Sequence, residues 1–182
     1  ADIAPAEQAM TDLGQSRLFM IRLGDDRLDD TLDTLGYKII DPTQLYACPI
    51  AAISAGRTNL CTTTHWPTTD PVARIWTDGG IGPARLGVMG RATGPKATAV
   101  ASLAGKAAAC GFVALHGNIA MIHAVETQKD MRRQGAARAV MIEAAKWAEQ
   151  QGATVLALAV TLENKAANAL YSDLGMSVVG RS

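Results

Sequence analysis

The chain has 182 residues, of which 48% are hydrophobic and 19% are charged, a composition that predicts a globular fold with one full core rather than a disordered chain. Its 17 Lys and Arg residues balance 17 Asp and Glu residues, which excludes a global field for nucleic acid or an anionic membrane. No apolar run approaches the roughly 20 residues that span a bilayer.

The first half of the chain predicts short elements separated by glycine and proline. In chain order they are a strand over 16–23, a helix over 25–35, extended segments over 37–40 and 45–46, a Thr-rich linker or surface excursion over 55–71, and a short helix over 70–77. The helix over 25–35 has leucines at helical spacing, and Gly36 follows it in the position of a C-cap.

The second half shows clearer periodicity. In chain order the predicted elements are strands over 97–103, 107–116 and 118–127, a helix over 135–151, a strand over 154–160, a helix over 164–174 and a final strand over 176–179. The turn around Gly117 is short enough to make the second and third strands a hairpin. The order β-β-β-α-β-α-β predicts an α/β (α+β) fold with a mixed central sheet flanked by helices.

A turn of small residues lies between the last strand of the hairpin and the long helix, with the sequence RRQGAA over 132–137. Free N–H groups at a helix start attract anions, and Gly135 and its alanine neighbours leave the approach clear. Arg132, Arg133 and Arg138 add positive charge. The alternative is an ordinary helix start with small residues that pack on the sheet. Neither GxxxxGK[ST] nor GxGxxG is present.

A second motif, over 164–176, follows the turn, and the two motifs together are far more specific than either one alone. Asn164, Ala167, Leu170, Tyr171 and Gly175 follow the pattern Asn-x-x-Ala-x-x-Leu-Tyr-x-x-x-Gly, and a methionine stands where an aromatic residue is usual. Together with the Arg-x-x-Gly-x-Ala turn, this pattern resembles the GNAT superfamily of acyl-CoA-dependent N-acyltransferases. The resemblance covers about residues 70–182 and is strong from residue 118 onward.

The resemblance implies a donor site for acetyl-CoA. The backbone of Val125 and Thr127 would hold the pantetheine arm, and Asn164 and Ala167 would lie beside it. The pyrophosphate would be bound by Arg132 and by the N–H groups of Arg133, Gln134, Gly135, Ala136, Ala137 and Arg138. Tyr171 would lie near the sulfur and protonate the departing thiolate, since a phenol with a pKa near 10 stays protonated at neutral pH.

The base that deprotonates the acceptor amine has two candidates, His123 and Glu126. They are three residues apart on one strand, so we expect their side chains on opposite faces of the sheet. The strand around His123 resembles that of arylalkylamine acetyltransferases, in which a histidine assists deprotonation through water. The alternatives are a strand histidine with a backbone partner and a solvated carboxylate at a strand end. Tyr171 could also be a core residue.

The chain departs from the family pattern at both ends. It stops soon after the strand that begins at Met176, whereas family members usually continue into another strand beside the acceptor pocket. Residues 28–46 loosely repeat the helix–glycine–strand order of the second motif. We therefore predict an N-terminal extension over 1–60, either a decayed half-repeat or a cover for the sheet edge, and an acetyltransferase domain over 61–182.

The predicted function is direct transfer of an acetyl group from acetyl-CoA to an amino acid, a small amine or a peptide N-terminus. The alternative is an inactive acyl-CoA-binding or protein-interaction module. Three scattered cysteines and three histidines show no disulfide or metal spacing, so we expect no metal and a cytoplasmic protein without a secretory signal. An incomplete sheet edge would allow strand exchange in a homodimer.

Overall fold

Seven strands form one mixed sheet in the computed structural model, which describes residues 3–182. In chain order they are β1 (Thr43–Pro49), β2 (Cys61–His65), β3 (Lys96–Leu103), β4 (Lys106–His116), β5 (Ile119–Thr127), β6 (Val155–Thr161) and β7 (Ser177–Arg181). Their order across the sheet is β2-β3-β4-β5-β6-β1-β7. Every neighbouring pair is antiparallel except β5–β6, which is parallel, so the predicted mixed sheet is confirmed.

Helices pack on the sheet in two separate apolar clusters. In chain order the helices are α1 (Ile3–Asp12), α2 (Asp26–Thr34), α3 (Ala51–Ser54), α4 (Asp70–Asp78), α5 (Pro83–Gly90), α6 (Ala136–Gln150) and α7 (Lys165–Asp173). Alternate residues of a strand point to opposite faces. Accordingly, Ala99 and Ala101 of β3 belong to the cluster that contains α6, whereas Val100 belongs to the cluster that contains α4.

The periodic second half of the chain folds as its sequence predicts. The three strands β3, β4 and β5, the long helix α6, the buried strand β6, the helix α7 and the final strand β7 lie within a few residues of their predicted bounds. Helix α6 buries five alanines, which let its backbone lie close to the sheet. The helices predicted over 25–35 and 70–77 are also confirmed, as α2 and α4.

Two predictions about the first half are wrong, and one helix there has no predicted counterpart. Residues 16–23 form no strand, and Leu23 is 81% exposed, because this apolar run has no partner strand. The segment over 37–40, which was predicted only to be extended, lies outside the strands, since β1 begins at Thr43. The supposed linker over 55–71 contains β2, an edge strand whose threonines suit a pleated surface. Helix α5 was not predicted.

Strand β1 joins the first 60 residues to the rest of the sheet. It pairs along its whole length with β6, from Thr43 opposite Thr161 to Pro49 opposite Val155, and it pairs on its other side with β7. The place beside β6 is therefore taken by a strand that precedes both the anion turn and the motif around Tyr171 in the chain. No helix within residues 3–182 is both long enough and apolar enough to cross a membrane.

Candidate active site

A cleft opens where β5 and β6 separate. These parallel strands pair only over three positions, from Ile119 opposite Val155 to Met121 opposite Ala157, although both continue further. The cleft beyond has a volume of about 200 Å³, and it is lined by Ile122, His123, Ala124, Val125, Leu158, Ala159, Val160, Thr161, Asn164 and Tyr171. Two strand edges that face a gap can pair with an extended ligand, as the sequence predicts for a pantetheine arm.

A bulge in β5 changes which side chains face each other. His123 lies opposite Phe112 of β4 and Glu126 lies opposite Cys110, so three steps along β5 match two steps along β4. Because cross-strand partners share a face, His123 and Glu126 both point to the α4 and α5 face of the sheet. The prediction that they point to opposite faces is wrong, since it assumed an unbroken strand.

The bulge is held by two features that the motifs do not contain. Ala124 has a φ of 53°, and its carbonyl accepts a hydrogen bond of 2.7 Å from Nε1 of the fully buried Trp76. On the opposite face, a Cβ at Gly111 would lie 3.0 Å from Val140 and 3.2 Å from Val125. The indole and the missing side chain at 111 together fix the course of β5 beside the cleft.

Tyr171 lines this cleft from α7. The residue is only 6% exposed and its ring lies 5.9 Å from that of Tyr46. No hydrogen bond to its hydroxyl is found within residues 3–182, although the oxygen is not fully enclosed. Burial raises its pKa to about 12, because the phenolate would be poorly solvated. Among the described residues, the group is therefore a protonated donor without a protein acceptor.

His123 lines the same cleft from the β5 side. Its pKa is lowered, first by partial desolvation and second by the positive charge of Arg85 on α5. Both causes disfavour the imidazolium, so the neutral imidazole is present at physiological pH. A neutral imidazole can accept a proton, directly or through water.

Glu126 lies in a second cavity of about 420 Å³, which is lined by Ile75, Asp78, Gly79, Glu126, Thr127, Gln128, Lys129, Asp130 and Arg132. Its Oε1 accepts the backbone N–H of Thr127 at 3.1 Å and Nη2 of Arg132 at 3.2 Å. The structure thus brings Tyr171 and His123 to one cleft, and it places Glu126 beside the first residue of the anion turn.

The turn before α6 presents a row of backbone N–H groups. A short 3₁₀ turn over Lys129–Met131 comes first, and Arg133 and Gly135 then adopt left-handed backbone, with φ of 59° and 81°. Within residues 3–182, no protein acceptor is found for the backbone N–H groups of 133–138. These donors stand at the positive end of a 15-residue helix, which suits an anion such as pyrophosphate.

The start of α7 is tied to β1 by a polar network that sequence reasoning missed. Asn164 caps the helix, with Oδ1 accepting the N–H of Ala167 at 3.1 Å, so its amide nitrogen remains for a ligand. Asn168 donates to the carbonyls of Thr161 and Asn164, at 2.9 and 2.8 Å. The hydroxyl of Tyr46 lies 3.1 Å from Oδ1 of Asn168. In the sequence, the only indication of this network is that Asn164 and Asn168 are four residues apart.

No metal centre is evident in this region. Among the described residues, no three His, Cys, Asp or Glu side chains are grouped so that they could hold a metal ion. The buried Cys110 lies on β4, and desolvation raises the pKa of its thiol far above the usual value.

Comparison with solved structures shows the same fold at low identity. A conserved protein of unknown function from Staphylococcus epidermidis superposes with a TM-score of 0.71 at 10% identity, covering 99% of this chain and 75% of its own. A GCN5-related N-acetyltransferase from Sphaerobacter thermophilus superposes with a TM-score of 0.63 at 16% identity, covering 88% of this chain and 56% of its own. A Bacillus subtilis acetyltransferase in complex with CoA gives 0.54 at 12% identity, covering 64% and 76%.

Comparison with sequence families is more direct. No curated protein matches the chain. The model of the acetyltransferase (GNAT) family matches residues 62–176, which include the cleft, the anion turn and Tyr171. The chain therefore belongs to the GNAT acetyltransferase family, whose members transfer acyl groups from CoA thioesters.

Proposed function

We propose that this protein transfers the acetyl group of acetyl-CoA to a primary amine by direct attack, without a covalent enzyme intermediate. The observation that supports this best is Tyr171, a buried residue beside the gap between β5 and β6 whose hydroxyl is protonated and has no protein partner among residues 3–182. A protein that only bound the donor would have no need of a proton donor at this position.

The donor is proposed to lie across the cleft and the anion turn. Val125 is part of the bulge and has no register partner in β4, so its backbone is suited to pair with the pantetheine arm. Both polar backbone groups of Thr127 already contact Glu126 or Arg132, which makes Val125 the stronger candidate. The N–H groups of 133–138 would bind the pyrophosphate, and the free amide nitrogen of Asn164 would donate to the pantetheine.

In the proposed reaction the amine nitrogen forms a bond to the acetyl carbonyl carbon, and the carbon–sulfur bond breaks. The proton lost by the amine goes to His123, which shares the cleft with Tyr171, and the departing thiolate is stabilised by the Tyr171 hydroxyl. Glu126, which lines the second cavity, is the alternative base. The buried thiol of Cys110, with its raised pKa, is a poor nucleophile, which supports direct transfer.

For the first 60 residues, we propose an extension whose strand β1 completes the sheet and supports α7. The order α2, Gly36 in left-handed backbone, then β1 resembles the order α7, Gly175 in left-handed backbone, then β7. This similarity supports the half-repeat reading over a plain cover for the sheet edge.

Thermal unfolding with acetyl-CoA, and with ATP and NAD as controls, tests the donor. Ligand at about 100 times its dissociation constant adds roughly 2.7 kcal/mol to the free energy of unfolding. An increase with acetyl-CoA alone supports the proposal, and a panel of amines, with CoA release as the readout, then tests turnover. No increase at millimolar acetyl-CoA would refute the donor site. Binding without turnover of any amine would favour the binding module instead.

A further inference from the structure

The Glu126 carboxylate is held by two hydrogen bonds to neighbouring residues. One of its oxygens, Oε1, accepts from both Thr127 and Arg132. Arg132 in turn donates from Nε to the carbonyl of Thr127 at 3.3 Å. One edge of the guanidinium is therefore occupied, whereas Nη1 makes no hydrogen bond within residues 3–182 and the side chain remains 54% exposed.

Gly79, the residue after α4, covers the other side of this carboxylate. A Cβ on Gly79 would lie 2.6 Å from Cγ, 2.7 Å from Cδ and 2.8 Å from Oε2 of Glu126. The backbone itself does not demand glycine, because φ is −84° and ψ is 2°, values that any residue adopts. Space for Glu126 is thus what a side chain at position 79 would remove.

We propose that Gly79 is a positioning residue of the donor site, which acts through Glu126 to orient Arg132 toward the phosphates of the donor. This inference rests on the proposed function, since it takes CoA as the ligand of the anion turn. An arginine that is already held loses less side-chain freedom when a phosphate binds to its remaining N–H groups. The end of α4 would therefore control phosphate affinity from 53 residues away in the chain (132 − 79).

An alternative role for Glu126, as a competitor of phosphate for Arg132, predicts the opposite effect on CoA binding. If Glu126 merely competed with phosphate for Arg132, displacing the carboxylate would strengthen the binding of CoA. Gly79→Ala separates the two, because it moves the carboxylate without altering any charge. The clash involves a flexible side chain rather than backbone, so the fold is expected to survive. Gly90→Ala, at the end of α5, is the matched control, since a Cβ there meets nothing within 4 Å.

The experiment measures the affinity of CoA and of pantetheine, which lacks the phosphates, by calorimetry. Gly79→Ala is expected to weaken CoA by about two- to tenfold, to leave pantetheine unchanged, and to have no effect in an Arg132→Ala background. Gly90→Ala should bind CoA as the wild type does. Unchanged or tighter CoA binding by Gly79→Ala, or an equal loss without Arg132, would overturn the inference. Failure of the wild type to bind CoA would instead refute the proposed function.

A second measurement applies even where Gly79→Ala does not fold. The Nη–H resonances of Arg132, identified by their loss in Arg132→Lys, report on the edge of the guanidinium that contacts Glu126. In Glu126→Ala these resonances are expected to move to the position of mobile arginines and to exchange faster with water. Resonances that are the same in Glu126→Ala and in the wild type would refute the positioning of Arg132 by Glu126.

Discussion

Replacing Tyr171 with phenylalanine removes one hydroxyl from the cleft and little else. The hydroxyl has no hydrogen bond to lose among the described residues, and the ring keeps its contact with Tyr46. We therefore expect the free energy of unfolding to change by less than about 1 kcal/mol. Affinity for CoA should also stay the same, because the phosphates and the pantetheine amides contact other groups.

Turnover should fall sharply. With a pKa of about 12, the Tyr171 phenol is about 3.5 units less acidic than an ordinary thiol, a difference of about 5 kcal/mol against full proton transfer to the thiolate. The hydroxyl is thus expected to act mainly as a hydrogen-bond donor to sulfur as the bond breaks. Removing one such donor slows an enzyme by about 10²- to 10³-fold.

The assay is the rate of CoA release with a saturating amine, together with CoA affinity and unfolding free energy for each variant. Tyr37→Phe is the matched control, because it removes a phenol hydroxyl that contacts Glu7, in the N-terminal part of the chain. A Tyr171→Phe variant that turns over within a fewfold of the wild type would refute the role of the hydroxyl. Equal losses in CoA affinity and in turnover would assign Tyr171 to binding.

Three further predictions concern the base, the anion turn and β1. If His123 is the base, activity should rise with pH through a pKa below 6.5 and be level by neutrality, since only the deprotonated imidazole accepts a proton. His123→Gln should lose this rise in activity, and an unchanged pH profile in that variant would exclude His123 as the base. Gly135→Glu should abolish CoA binding by charge and backbone strain, whereas Gly135→Asn should retain most of the binding, because asparagine tolerates left-handed backbone. Normal CoA binding by a folded Gly135→Glu would refute the pyrophosphate site. Tyr46→Phe should lower the urea-unfolding free energy by about 1 kcal/mol, because the side chain of Asn168 loses its contact with β1; no change would show that this contact is dispensable.

Local patterns explain why part of the candidate site could be predicted. The turn at 132–137 and the motif around Tyr171 each place small or polar residues at fixed spacing within one element, and the structure brings both to one end of the sheet. The bulge at Ala124 has no such pattern. It depends on an indole 48 residues away and on the missing side chain of Gly111, so a strand count by twos put His123 and Glu126 on opposite faces, although they share one.

The elements of the second half could be predicted from the amino-acid order, because helical and strand periodicity record which face each element buries. The residue types at the anion turn and at position 171 likewise indicated the chemistry available there. The folded chain was needed to show that β1 lies between β6 and β7, that β2 forms an edge, and that Glu126 lies between Gly79 and Arg132. These arrangements join residues far apart in the chain, and pairing between distant segments depends on which surfaces remain after the local elements have formed.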